Sequence, residues 1–136
     1  MTNTIVLVNP PYSFWSPEKN HLRPFIGNLP SLGILSLAAV LRKAGFPARI
    51  VESASLGLSF SRTVAAILQE RPRYVGLSCT TASVENAAEI ARAVKEKSPE
   101  TLVLAGGPHV TALPEETFRR FPEIDFGIVG EGEAAL

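Results

Sequence analysis

TLVLAGGPHVTALPEE, residues 101–116, sets the reading of the whole chain. Its first half, Thr101 to Ala105, is a short apolar run with β-branched members, held between Pro99 and a pair of glycines, the pattern of a strand buried in a sheet. Gly106 and Gly107 end that strand. Two glycines at a strand's carboxyl end permit a sharp turn, and they also let a bulky group lie against bare backbone, because no Cβ stands in the way. Pro108 stiffens the exit. The local options are therefore a tight strand-to-helix turn or one wall of a ligand site, and the pattern on either side decides between them.

Downstream, Ala112 to Phe121 reads as a short helix with Pro114 in its first turn and Glu115 and Glu116 near the positive end of its dipole. Asp125 to Val129 reads as a further strand, and Ala134 to Leu136 as the start of a helix. Upstream, Ile5 to Val8 is a run of apolar β-formers closed by Asn9, Pro10 and Pro11. From Asn9 to about Leu29 there is no clean periodicity, and Tyr12, Phe14, Trp15, His21, Arg23 and Phe25 are scattered among prolines. A loop of that length in a small domain is more often functional or mobile than neutral. Its aromatic rings either pin it to the body or together wall a flat apolar ligand.

Pro30 and Ser31 open a helix whose apolar positions run from Leu32 to Leu41 at helical spacing, with Gly45 as its stop. Ala48 to Val51 is a short strand, and Glu52 at its end reads as a solvated terminus, with a ribose hydroxyl contact as the alternative. Ser59 or Ser61 caps a helix running to about Glu70. Tyr74 to Cys79 is a third strand, and Ser83 with Asn86 gives a partial capping signal for an amphipathic helix ending before Pro99.

The totals narrow the function classes. The 136 residues suit one domain with one core. Thirteen basic and thirteen acidic side chains cancel, so nothing in the charge balance marks a nucleic-acid or anionic-membrane partner. The single cysteine, Cys79, excludes an internal disulfide and a multi-cysteine metal site, and fits a reducing cytoplasm. No apolar run approaches a bilayer span and the N-terminus lacks signal-peptide features, so a soluble protein is expected.

Five strands separated by helical segments predict an α/β fold, a single doubly wound, flavodoxin-like domain with a five-stranded parallel sheet in the order 2-1-3-4-5. Ligands bind beyond the carboxyl ends of such strands, where this chain carries Asn9 to Ser13, Ser78 to Ser83, Gly106 to Thr111 and Gly130 to Glu133. A phosphoacceptor regulator needs acids where Asn9 and Ser78 stand. A flavodoxin-type phosphate loop needs free N–H groups where Pro10 and Pro11 stand. Gly130 to Ala135 matches G-x-G-x-x-A, but on the last strand and with Glu131 and Glu133 set to repel a pyrophosphate. Neither His21 nor His109 is tied by spacing to Ser78 or Cys79, so no catalytic residue and no metal ligand is assigned. His109 follows the glycines either into the crevice or into a helix start.

Together, IVLVNPP, PSLGILSLAAVLRKAG, YVGLSCTT, LAGGPHVTALPEE and IVGEGE resemble the N-terminal cobalamin-binding domain of cobalamin-dependent radical S-adenosylmethionine enzymes, over essentially the whole chain. The resemblance implies that Ser78, Thr80, Gly106 and Gly107 receive the nucleotide tail of cobalamin. Asn9, Pro10, Tyr12, Thr81, Pro108, His109, Gly130 and Glu131 complete the cofactor-binding set. The Asp-x-His-x-x-Gly motif that supplies a cobalt ligand in many cobalamin domains is absent around His21, which implies base-off binding without a protein histidine. No C-x3-C-x2-C motif is present. The resemblance therefore places the four-iron four-sulfur cluster and S-adenosylmethionine in a downstream radical domain, the expected partner, of a methyltransferase or a tetrapyrrole-cyclase-like enzyme. The residues alone leave two other readings: a nucleotide- or flavin-binding α/β domain, and a ligand-free docking domain.

Overall fold

The computed structural model describes residues 2–12 and 29–136. The chain runs β1 (Thr2–Asn9), α1 (Leu32–Lys43), β2 (Ala48–Glu52), α2 (Ser53–Leu56), α3 (Phe60–Gln69), β3 (Pro72–Ser78), α4 (Val84–Lys97), β4 (Leu102–Gly106), α5 (Pro108–Ala112), α6 (Pro114–Arg120) and β5 (Phe126–Gly127), then a 3-10 turn at Gly132–Ala134. The five strands form one parallel sheet in the order β2-β1-β3-β4-β5, as the alternation of strands and helices predicts.

Period-two alternation divides the apolar side chains between the two faces. Val6, Val8, Val75, Leu77, Val103 and Ala105 point into the larger core, where α3 and α4 pack through Val64, Ile67, Ala87, Ile90, Ala91 and Val94. Alanines on α4 let it lie close to the sheet, and valines and isoleucines fill the rest. Ile5 and Leu7 point the other way, into a smaller cluster to which, among the described residues, α1 is the one helix that contributes, through Ile34, Ala38 and Leu41.

Helix α1 is fixed at both ends. The Ser31 hydroxyl accepts from the Ile34 amide at 3.4 Å, and the Arg42 guanidinium donates to the Ala48 carbonyl at 2.8 Å, tying the last turn to the start of β2. Gly45, at φ +88°, adopts the left-handed geometry that lets the chain reverse into β2. Ser59 caps α3 by accepting from the Arg62 amide at 3.3 Å.

Several expectations are corrected in detail. The helix read as Ala112 to Phe121 is two pieces, because residues preceding proline avoid helical geometry: Leu113, at φ −134° and ψ 57°, breaks the run before Pro114. The strand read as Asp125 to Val129 shortens to Phe126–Gly127; at its start the Asp125 carboxylate, instead of a backbone carbonyl, accepts from the Val103 amide at 2.7 Å, while Asp125 N and Ile128 N still donate to the Val103 and Ala105 carbonyls at 2.9 and 2.8 Å. Ser83 makes no cap bond to α4 and turns back to Thr80. Glu52 is not solvated: it is buried, and α2 begins directly after it. The loop expected from Asn9 to Leu29 lies largely outside the described residues.

Candidate ligand-binding cleft

A cleft of about 490 Å³ opens on the α1 face of the sheet at the carboxyl ends of β1, β3 and β4. Its floor follows from register. Leu7 pairs with Gly76 and Gly76 with Leu104, so a glycine on the central strand lies between two leucines. A Cβ at position 76 would stand 2.9 Å from Leu7 Cδ2, so Leu7 leans over the bare backbone. Two residues further along, Ser78 pairs with Gly106. The furrow thus passes from apolar floor to hydroxyl and bare main chain at the strand ends. Ile34 and Leu37 of α1 line it together with Ile128, Gly130, Glu131 and Gly132, and the two sets meet where Gly132 lies against Leu37, since a Cβ there would stand 2.9 Å from Leu37 Cδ2.

The predicted residues do not all converge. Asn9, Tyr12, Ser78, Thr80, Gly106, Gly107, Pro108, Gly130 and Glu131 line the cleft; Pro10, Thr81 and His109 do not. Pro10 is buried beneath the strand end. His109 faces the neighbouring loop, where its Nδ1 lies 3.1 Å from the Thr81 hydroxyl and its amide donates to the Cys79 carbonyl at 3.0 Å. It joins the β3 and β4 loops instead of entering the crevice. His21 falls outside the described residues.

The two signature glycines have different roles. Gly106 has an ordinary backbone, and a Cβ there would meet only Ile128, with Cβ at 3.6 Å, beside open cleft. Gly107, at φ +103°, would carry a Cβ to 2.8 Å from the Cys79 carbonyl oxygen. The second glycine lets two loop backbones touch, while only the first leaves room in the cleft.

Polar groups are fixed at the rim. The Thr80 amide donates to Ser83 Oγ at 3.1 Å, and the Thr80 and Ser83 hydroxyls lie 3.1 Å apart. The Gly130 amide donates to the Thr111 hydroxyl at 3.0 Å, anchoring the loop that carries Glu131. Asn86 Nδ2 donates to the Pro11 carbonyl at 2.8 Å, so α4 holds the chain leaving β1. Among the described lining residues there is no lysine, arginine or histidine, while Glu131 and Glu133 bring acid to the rim. Such a surface offers no cation to balance the two charges of a pyrophosphate or a flavin phosphate monoester. Burial pushes the Cys79 thiol up to about 12, which leaves it protonated and poorly nucleophilic at neutral pH. No group of three or more His, Cys, Asp or Glu suited to a metal occurs among the described residues.

Sequence reasoning missed the floor, Leu7, Gly76 and Leu104, and missed the acid behind the rim. Glu52 Oε2 accepts from Asn9 Nδ2 at 2.9 Å and from the Ser55 hydroxyl at 3.1 Å, while Oε1 accepts from the Ser31 amide at 2.9 Å. Asn9 and Ser31 line the cleft; Glu52 does not. The usable signal was register, since Glu52 is the direct partner of Asn9 on the adjacent strand.

The sequence profile described as B12 binding domain matches residues 23–136. An uncharacterised methyltransferase of Pyrococcus horikoshii is 33% identical over 118 residues, which is 86% of this chain and 26% of that protein. The anaerobic magnesium-protoporphyrin IX monomethyl ester cyclase of Synechocystis is 26% identical over 140 residues, covering 97% of this chain and 26% of that protein. The structure of the radical S-adenosylmethionine methyltransferase TsrM from Kitasatospora setae, with cobalamin and a four-iron four-sulfur cluster bound, matches at TM-score 0.74 and 19% identity. That match covers 98% of this chain and 25% of that one, and is a likeness of fold. The chain thus spans about a quarter of the length of these relatives. Since the profile takes in every element from α1 onward and the furrow beside α1 is built from the residues that carry the sequence resemblance, the chain belongs to the B12 binding domain family.

Proposed function

We propose that the cleft holds cobalamin base-off, with no protein histidine beneath the cobalt, and that the domain works inside a longer radical S-adenosylmethionine enzyme of the methyltransferase or tetrapyrrole-cyclase type. The observation that carries the reading is the furrow: Gly76 and Gly106 leave a trough beside α1 that side chains at those positions would narrow. Ser78 and Thr80 would meet the nucleotide tail with hydroxyls, and Leu7, Leu104 and Ile128 would supply its apolar bed. Asn9, Tyr12, Pro108, Gly130 and Glu131 would border the corrin. Pro10, Thr81 and His109 would act behind this surface, holding the loops that shape it. When bound, cobalamin supplies cobalt-centred alkyl transfer; the residues here bind and orient.

The wider assignment is supported by relatives about four times as long, an uncharacterised methyltransferase and a cyclase. In that arrangement the iron–sulfur cluster and S-adenosylmethionine belong to a downstream radical domain. A free, buried Cys79 suits the cytoplasm, and no helix among the described residues is long and apolar enough to cross a membrane.

Mixing the purified protein with hydroxocobalamin, desalting it and recording the visible spectrum tests the assignment. Retained corrinoid with a base-off spectrum is the expected result. A protein that emerges colourless would remove cobalamin from the cleft, and a base-on spectrum would remove the mode of binding.

A further inference from the structure

Glu52 is a buried acid at the end of β2, 8% exposed, outside the cleft and in contact with two residues that line it. A carboxylate only accepts hydrogen bonds, and each of its three partners must donate. The Ser31 amide can do nothing else. Asn9 has a choice, because its side chain ends in one donor group and one acceptor, and the carboxylate makes that choice: Nδ2 turns to Glu52. By elimination the other polar atom of this cleft-lining side chain is Oδ1, an acceptor.

We propose that Glu52 is a positioning residue that fixes the amide of Asn9 so that the cleft presents an acceptor there, selecting ligands that bring N–H groups, the primary carboxamides of a corrinoid, over ligands that bring carboxylates. The inference rests on the cobalamin reading of the cleft and names the chemistry by which that cleft discriminates. Glu131 and Glu133, which also line the cleft, have the same sense, since a carboxylate accepts from amides and repels acids.

Glu52→Gln tests it without a change of shape. A glutamine has one acceptor and one donor at its end, and the Ser31 backbone amide cannot reverse, so the acceptor must stay on Ser31. The donor then faces Asn9 and Ser55. Ser55 can rotate its hydroxyl, and Asn9 can flip, after which Nδ2 becomes the atom offered to the cleft. The variant is thus expected to fold while reversing the polarity of one position in the site.

The measurement is the ratio of affinities for two probes that lack the nucleotide tail, cobinamide, whose side chains are carboxamides, and cobyrinic acid, whose side chains are carboxylates, each titrated by absorbance. Relative to wild type, Glu52→Gln is expected to shift the ratio towards cobyrinic acid by about tenfold, the size of one good hydrogen bond exchanged for a mismatch. Asn9→Ala, which removes the acceptor and leaves Ser31 and Ser55 on Glu52, is expected to lower cobinamide affinity by a similar factor, about tenfold. In the Asn9→Ala background, Glu52→Gln should no longer move the ratio, because its effect passes through Asn9. An unchanged ratio in both single variants overturns the proposal, as does a shift by Glu52→Gln that persists when Asn9 is alanine. Should Glu52→Gln fail to fold, the Asn9→Ala ratio alone decides. If wild type binds neither cobinamide nor cobalamin, the cobalamin reading itself falls and takes this inference with it; if it binds them with no dependence on Asn9, only the inference falls.

Discussion

Gly107 passes so close to Cys79 that a Cβ on it would lie 2.8 Å from the Cys79 carbonyl oxygen and 3.0 Å from its amide nitrogen. The contact locks the β3 and β4 loops together, and the neighbouring bonds from Cys79 N to the Gly106 carbonyl, 2.7 Å, and from His109 N to the Cys79 carbonyl, 3.0 Å, depend on it. Gly107→Ala meets both a backbone collision and a strained φ of +103°. A loss of about 2 kcal/mol or more is expected, from the cost of a non-glycine residue in that region plus the displaced hydrogen bonds. Urea unfolding followed by circular dichroism measures it, and a midpoint equal to that of wild type would show that the loops can part freely.

Gly106→Val behaves differently. The backbone at Gly106 suits any residue, and the added side chain would point beside Ile128 into the open cleft. Stability should change by less than about 1 kcal/mol, the range for substitutions that create no strain or cavity. Corrinoid retention after desalting should fall sharply because the trough is filled. Full retention by this variant would move the ligand away from the strand ends.

The architecture was legible because it is written in local periodicity: Val6 and Val8 against Ile5 and Leu7, Ile34, Ala38 and Leu41 at helical spacing, and a glycine or proline at most ends. The strand order followed from the fold class that this alternation implies. The strand-end residues of the cleft were legible for the same reason, since chain order places them at one edge. What escaped was whatever depends on partners distant in sequence. Glu52 meets Asn9 across 43 positions and Ser31 across 21, and no local pattern distinguishes such an acid from a solvated one. Gly76 acquires its role only through register, which puts it between Leu7 and Leu104. Of the two places open to His109, the structure takes the helix start: it stands in the first turn of α5, with its ring on the Thr81 hydroxyl, and this too depends on a partner distant in sequence. The break at Pro114 was the opposite case: its cause, the restricted residue before a proline, was present in the sequence and outweighed by the helical spacing around it.

The buried thiol gives a stability that depends on pH. Cys79 is fully buried, and desolvation pushes its pKa from 9.0 up to about 12. Between those values the native state keeps a proton that the unfolded chain has released, so unfolding is favoured as pH rises. The thiol therefore contributes no penalty below pH 9 and a growing one above it, approaching about 1.4 kcal/mol per pH unit until the native thiol itself ionises. Lysines and tyrosines titrate in the same range, so the signal is the difference between wild type and Cys79→Ala across pH 8 to about 11. The two stability curves should converge relative to their offset at pH 8 as pH rises. Parallel curves would mean that the thiol is not protonated by burial.

Thr80 and Ser83 share one oxygen for two purposes, and separating them distinguishes scaffold from contact. Ser83 is 1% exposed, and its Oγ accepts from the Thr80 amide while lying within hydrogen-bond distance of the Thr80 hydroxyl. Ser83→Ala leaves that part-buried amide without its partner and should cost about 1–2 kcal/mol. Thr80→Val keeps the amide bond to Ser83 and the side-chain volume; it removes the hydroxyl at the cleft and with it the contact to Ser83 Oγ, whose proton still has the Thr80 carbonyl at 3.5 Å. It should change stability by less than about 1 kcal/mol and weaken cobalamin binding by about tenfold, the worth of one hydrogen bond. Thermal unfolding and an absorbance titration on both variants give the comparison. The roles assigned here predict opposite orderings, with Ser83→Ala the worse for stability of the free protein and Thr80→Val the worse for affinity per unit of stability lost; identical behaviour would mean that Thr80 shapes the loop and touches no ligand.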